Sequence, residues 1–230
     1  GNEYIVKTIV TTELLFAIAD KYNVKKFDVL TGFKFIADKI LNNPGMTFIG
    51  GGEESYGYLV GDFGRDKDAA IACFIIAEMT AWAAEQNKTL YQILKEIYKE
   101  FGFYKESLIS LTKKGISGSE EIKQMMHQFR NNPPKSLLGS RIVEIKDYKQ
   151  SICIDTILGI ETKINLPKSD VLQFFTEDGC KVTIRPSGTE PKIKFYFGIK
   201  AKLNDIADFE VVNNELDERI NKLIKHFSEE

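Results

Sequence analysis

The chain has 230 residues, a formal net charge of −2, and 43% hydrophobic and 28% charged residues. This balance excludes a disordered or fibrous chain, and the interspersed charges leave no strong positive field for nucleic acid or an anionic membrane. The length admits one large or two ordinary domains, and the order of elements favours two.

Residues 5–10 read as a strand, 13–22 as a helix, 27–30 as a strand, 34–41 as a helix and 46–49 as a strand. Such alternation implies βαβ units on a parallel sheet. A long helix over 66–86 follows, apolar on nearly every face and so expected in the interior; its length and Glu78 argue against a membrane span. Asp66 and Thr89 have the chemistry of N-caps, the second for a helix reaching Phe101. Lys, Gly and Ser over 112–119, and the break Asn131-Asn132-Pro133-Pro134, frame a short amphipathic helix and mark the boundary. Domains of 1–115 and 119–230 are expected. Beyond it, 138–145, 152–157, 171–176, 180–184 and 193–199 read as strands, with Glu177-Asp178-Gly179 as a hairpin turn. A closing helix over 205–227 places Leu216, Ile220, Leu223, Ile224 and Phe227 on one face. The expected class is α/β followed by α+β, the second domain carrying an antiparallel sheet.

Two loops hold the chemistry. Arg185-Pro186-Ser187-Gly188-Thr189-Glu190-Pro191 lies between alternating strands and has the parts of an oxyanion cradle. Arg185 offers a planar fork, Ser187 and Thr189 offer hydroxyls, Gly188 lets the backbone approach, and Lys192 and Lys194 add charge. The same residue types also make an ordinary hairpin loop. Gly50-Gly51-Gly52-Glu53-Glu54-Ser55-Tyr56-Gly57 follows a strand at its C-terminal end, where open α/β sheets place ligand loops. A carboxylate there can accept hydrogen bonds from two neighbouring sugar hydroxyls, and a solvated turn is the alternative.

RPSGTEPK is similar to the C-terminal phosphate-binding loop of the α-D-phosphohexomutases, the phosphoglucomutase and phosphomannomutase family. The glycine-rich loop resembles that family's Gly-Glu-x-Ser sugar loop, which implies sugar contacts at Glu53 and Ser55. Gly64-Arg65-Asp66-Lys67-Asp68 resembles a segment whose bases approach the phosphosugar, making Arg65 and Lys67 candidates. Thr31-Gly32-Phe33-Lys34 looks like a further ligand loop of the family, with Thr31 and Gly32 as candidates. The resemblance spans nearly the whole chain but only the third and fourth of four domains. It implies a mixed-sheet α/β third domain and a smaller fourth domain around a curved antiparallel sheet. Asn165-Leu166-Pro167 and KIKFY resemble the branch with bacterial phosphoglucomutases and vertebrate phosphopentomutase-like enzymes, and the paired glutamates lean toward glucose.

The implied activity is an intramolecular phosphotransferase of the isomerase class, exchanging hexose 1-phosphate and hexose 6-phosphate through a hexose 1,6-bisphosphate. The family needs a phosphorylated serine ahead of a histidine and an Asp-x-Asp-x-Asp magnesium run, and neither motif occurs in this sequence. No catalytic or metal residue is therefore expected here; Mg2+ and the serine would belong to N-terminal domains of the same polypeptide, and the chain alone would be inactive. The strand-like opening at Gly1, without methionine or a signal peptide, reads as the inside of a larger protein. A stand-alone phosphosugar-binding or regulatory module is the second reading. Cys73, Cys153 and Cys180 lack CxxC spacing, which fits reduced thiols in a cytoplasm, with no nucleic-acid or membrane partner.

Overall fold

The computed structural model describes residues 1–113, 115–188 and 190–228. Two units divide them: Gly1–Phe103 with Lys202–Phe209, and Tyr104–Ala201 with Glu210–Glu230. The changeover at Phe103 precedes the boundary expected at 115–119, because residues 103–112 form a strand of the second sheet.

The first unit runs β1 (Glu3–Thr8), α1 (Leu14–Lys21), β2 (Lys25–Val29), α2 (Phe33–Leu41), β3 (Thr47–Gly52), β4 (Tyr58–Val60), α3 (Ala69–Glu85) and α4 (Leu90–Phe101). Its sheet has the order β2-β1-β3-β4, with β1 parallel to β2 and β3, and β4 antiparallel to β3. The sheet is mixed and built from βαβ units. Tyr4, Val6, Val29 and Phe48 alternate onto one face and meet Phe33, Ile36 and Ile40 of α2. A Cβ at Gly51 would stand 2.5 Å from the Val6 carbonyl, so only glycine lets β3 lie against β1 there. Lys7 is fully buried, yet its ammonium donates to Asp28 at 2.7 Å and Glu13 at 3.1 Å and lies 4.2 Å from the Phe16 ring centroid. A buried cation persists only when paired in this way.

Thr89 caps α4 and forms a full capping box with Gln92. Asp68, rather than Asp66, caps α3, accepting from the Ile71 amide at 3.0 Å. The apolar α3 was expected in the interior, but Ala83 is its one buried residue. At the end of α4, Tyr98 stacks on Phe103 at 4.4 Å and Phe103 on Phe209 at 4.7 Å.

The second unit contains β5 (Phe103–Thr112), α5 (Gly115–Asn131), β6 (Ser136–Leu137), β7 (Ser140–Asp147), β8 (Ile152–Asp155), β9 (Ile160–Lys163), β10 (Leu172–Thr176), β11 (Lys181–Pro186) and β12 (Lys192–Ala201). A 3-10 turn at Ile206–Asp208 leads into α6 (Phe209–Ser228). The strands form one sheet ordered β5-β12-β11-β10-β7-β8-β9, with β6 paired to β7. Every pairing from β6 to β12 with a resolved register is antiparallel. Leu138 and Gly139 take positive φ, which makes them the β6–β7 turn rather than the start of a strand. Gly179, at φ 82°, makes the β10–β11 hairpin as the sequence indicates. Phe174, Val182, Ile184, Phe195 and Phe197 share one buried face, where Phe195 and Phe197 meet Phe227 of α6 and Phe129 of α5 meets Phe195 and Phe227; Leu216, Ile220 and Leu223 of α6 and Met126 of α5 are buried too. Arg130 ties α5 to this sheet through Asp147 at 2.8 Å and Asp170 at 2.7 Å.

The fold also sorts the thiols. Burial pushes the Cys180 thiol up to about 12, whereas Cys73 is exposed on α3. At pH 8, iodoacetamide is expected to label Cys73 in the native chain and spare Cys180 until urea unfolds it, read by intact mass. Because the native thiol keeps its proton while the unfolded one ionises near 8.5, this residue's share of stability is present below that pH and lost toward 12. Equal labelling of both thiols under native conditions would contradict this packing.

Candidate functional site

In the first unit, three of the segments singled out in the sequence converge. The Glu53 carboxylate accepts from the Gly32 amide at 2.6 Å, joining the β3–β4 loop to the turn before α2. Gly32 sits at φ 119° as the residue that opens α2, a conformation other residues rarely take. A cleft of about 700 Å³ adjoins this junction, lined by Gly32, Phe33, Lys34, Arg65, Asp66 and Lys67 among others. The α2 N-terminus and the cations Lys34, Arg65 and Lys67 border it together with the carboxylates of Asp38 and Asp66, so cations outnumber acids there by one.

Local structure aims these groups. The Glu53 amide bonds the Gly57 carbonyl at 2.9 Å, closing the Glu53–Gly57 loop into a tight hairpin end. Tyr56 tops it at φ 66°, wholly exposed, with Ser55 and Glu54 exposed beside it. A Cβ at Gly57 would lie 2.9 Å from the Lys67 side chain, so that glycine makes room for the lysine. Lys67 lies 4.9 Å from the Phe33 ring centroid and donates to Asp66 at 2.7 Å. The Asp66 hydrogen bond is the main cause that raises the Lys67 pKa above its usual value, and Lys67 in turn lowers that of Asp66. The lysine therefore stays cationic through the physiological range. Arg65 folds onto its own loop, donating to the Gly64 carbonyl at 2.8 Å and to the Asp62 carbonyl.

In the second unit, β11 and β12 carry the other loop. Arg185 pairs across the strands with Lys194, and Lys192 follows on the same face of β12. The loop closes with the Ser187 amide on the Lys192 carbonyl at 2.7 Å. Lys113, at the end of β5, donates its amide to the Pro191 carbonyl at 2.9 Å and braces the far side. Lys192 bonds Glu190 at 2.6 Å, the main cause that lowers the Glu190 pKa. Thr189 lies outside the described residues.

Motif reading misses what lies beside Arg185. Its guanidinium lies 5.9 Å from the ring centroid of Tyr196, itself opposite Thr183. Thr183 accepts from Gln173 at 2.8 Å, and Gln173 accepts from Tyr148 at 2.6 Å. These buried polar residues form a ladder across β10, β11 and β12, legible in sequence only once the register is known. The motifs also pass over Phe33 and Lys34, which line the cleft next to Gly32. His127 and His226 are exposed, and His127 meets only Asn131 among the described side-chain bonds.

Among the described residues, no three His, Cys, Asp or Glu side chains lie together as a metal site. The described residues offer no cluster for the Mg2+ that the resemblance assigns to other domains of the parent polypeptide. No helix among them is long and apolar enough to cross a membrane.

The chain thus pairs a mixed-sheet α/β unit with an antiparallel α+β unit, with Lys34, Arg65 and Lys67 beside the cleft of the first and Arg185, Lys192 and Lys194 at one strand end of the second. Two family models match it: "Phosphoglucomutase/phosphomannomutase, alpha/beta/alpha domain III" over residues 1–101 and "Phosphoglucomutase/phosphomannomutase, C-terminal domain" over 135–212. The chain belongs to the phosphoglucomutase/phosphomannomutase family. It is 36% identical over 203 residues to the phosphoglucomutase of Staphylococcus saprophyticus and 37% identical over 208 to that of a bovine Staphylococcus aureus strain. These alignments cover 87% and 90% of this chain but 37% and 38% of the relatives, so the chain spans little more than a third of their length. Among solved structures, Paramecium pp63/parafusin, a phosphoglucomutase in its open form, matches 95% of this chain and 38% of its own at 18% identity and TM-score 0.60. A putative phosphomannomutase from Thermus thermophilus matches 98% of this chain and 37% of its own, at 18% identity and TM-score 0.56. Both likenesses establish the fold.

Proposed function

We propose that the chain supplies sugar and phosphate recognition to a phosphohexomutase that interconverts hexose 1-phosphate and hexose 6-phosphate. In this reading Glu53 and Ser55, with Thr31 and Gly32, hold sugar hydroxyls. Arg65 and Lys67 attract the phosphosugar in the first unit. Arg185, Ser187, Gly188 and Thr189 hold the phosphate that is not reacting. The observation that carries the reading is the Glu53–Gly32 hydrogen bond beside the cleft, since it brings a hydroxyl acceptor and phosphate-seeking bases together.

The chemistry asked of these residues is positioning. A hexose bisphosphate must present first one end and then the other to a single phosphoryl-transferring group, so the grip must serve both orientations. A planar guanidinium in one loop and a carboxylate in the other meet that need, because neither takes part in bond making. The transferring serine and Mg2+ belong, in this proposal, to N-terminal domains of the same polypeptide, with the hexose 1,6-bisphosphate as intermediate and activator. Glucose is the preferred sugar on the strength of relatives named phosphoglucomutase, and unpaired Cys73, Cys153 and Cys180 favour a cytoplasmic setting.

Titration of the chain with glucose 1-phosphate, mannose 1-phosphate and inorganic phosphate, before and after Glu53→Ala, tests this reading. The substitution is expected to weaken the preferred sugar phosphate by about tenfold, a loss near 1.4 kcal/mol, and to leave inorganic phosphate within about twofold. Equal weakening of all three ligands would assign Glu53 to bracing the Gly32 turn alone. Turnover of a hexose 1-phosphate by this chain unaided would overturn the division of labour.

A further inference from the structure

Helix α3 has the sequence AAIACFIIAEMTAWAAE, yet Ala83 is its one buried residue. Phe74 is 63% exposed, Ile76 56%, Met79 46% and Trp82 52%. A helix apolar around its circumference belongs in an interior, and monomers seldom leave so continuous an apolar surface in water. The strands share the exposure. Phe48 faces the α2 core, whereas its neighbour Ile49, pointing to the other side of β3, is 42% exposed, as is Tyr58 at 43%. Parallel strands are ordinarily covered on both faces.

We infer that α3 and the Ile49 side of the sheet are the docking surface for an apolar helical segment of the parent polypeptide that precedes this part. The inference rests on the parentage proposed above and names the surface that receives it. The matched domain is described as alpha/beta/alpha, an architecture that needs helices on both faces. The units matched are domain III and the C-terminal domain, so the unmatched length of the relatives lies ahead of them. A second copy of the chain fits less well. At 100° per residue, Phe74, Trp82, Met79 and Ile76 spread over roughly 200° of the helix circumference, whereas a flat two-fold contact covers a stripe near 100°. A bilayer fits less well again, because α3 has 17 residues and an exposed Glu78 in its midst.

Trp82 is the one tryptophan of the chain, so 5-fluorotryptophan places a single fluorine resonance on this surface. The probe is the part of the Staphylococcus saprophyticus phosphoglucomutase ahead of its matched region, added unlabelled. The resonance is expected to show a full solvent-isotope shift in the chain alone, and to move and lose that shift on adding the segment. Ile76→Ser should leave the melting temperature of the isolated chain unchanged, since the side chain is already in water, and weaken association by about tenfold or more. A resonance already protected in the chain alone, and dependent on its concentration, would overturn the inference in favour of a second copy. A complex that restores mutase turnover while Trp82 stays unmoved would overturn the docking surface and leave the parentage standing. No association, with glucose 1-phosphate binding intact, would likewise sink the docking surface alone; loss of both would sink the parentage with it.

Discussion

In a titration with glucose 1-phosphate, Arg185→Ala is expected to weaken binding by about 10- to 100-fold, the cost of roughly 1.5–3 kcal/mol for losing charged hydrogen bonds. Arg185→Lys should recover little of this. Arg185 stands at the end of β11 opposite Lys194, so positive charge beside the loop survives either change. In the proposed role, what is lost is a planar fork suited to two phosphate oxygens at once, which an ammonium cannot reproduce. The ring centroid of the buried Tyr196 lies 5.9 Å from the guanidinium, on the same face of the sheet. Arg141→Ala, at an exposed position on β7, serves as the control for net charge. Comparable losses in Arg185→Ala and the control would reduce the loop to a general attraction and remove its role in recognition.

Phe195→Ala should cost the second unit about 3–5 kcal/mol, the range for emptying a filled aromatic site. Phe195 is fully buried, 6.1 Å from the Phe129 ring centroid and 5.5 Å from that of Phe227, so the void opens where β12, α5 and α6 meet. Little nearby is free to collapse into it. Because the chain has two units, a single melting temperature would blur the effect. Hydrogen exchange resolves it: amides of β10 to β12 should exchange faster while those of β1 to β3 keep their protection. Phe63, 85% exposed, provides the contrast, and its replacement by alanine is expected to change stability by less than about 0.5 kcal/mol. Uniform acceleration across both units would mean that they unfold as one.

Local signals carried much of the fold. The Thr89 capping box, the Gly179 hairpin and the Leu216–Phe227 stripe each depend on residues within one or two turns, and each stands where the pattern places it. Features set by distant neighbours were less legible. Asp66 has the same chemistry as Asp68, but only Asp68 accepts from an amide in the first turn of α3, that of Ile71, while Asp66 is taken by Lys67. The Lys, Gly and Ser run near 115 reads as a linker, yet α5 starts there because Ile122, Met126 and Phe129 anchor the helix to the second core. For the site, both loops were visible as motifs. Their supports were not: the Glu53–Gly32 bond spans 21 positions, and the Gln173–Thr183 step of the ladder spans ten. The exposure of α3 could not be read at all, since composition states that a surface wants covering and not what covers it.

Phe209 has a consequence for the order of synthesis. Its ring completes a stack with Tyr98 and Phe103 in the first unit, yet it is made only after nearly all of the second unit. At about 5–20 residues per second, the ribosome leaves that stack unfinished for on the order of 5–20 s after Phe103 emerges. The N-terminal unit must wait for its last piece while the sheet between its two halves is still being translated. Nascent chains halted shortly before residue 209 should therefore be far more open to protease within the first hundred residues than chains released a little beyond it.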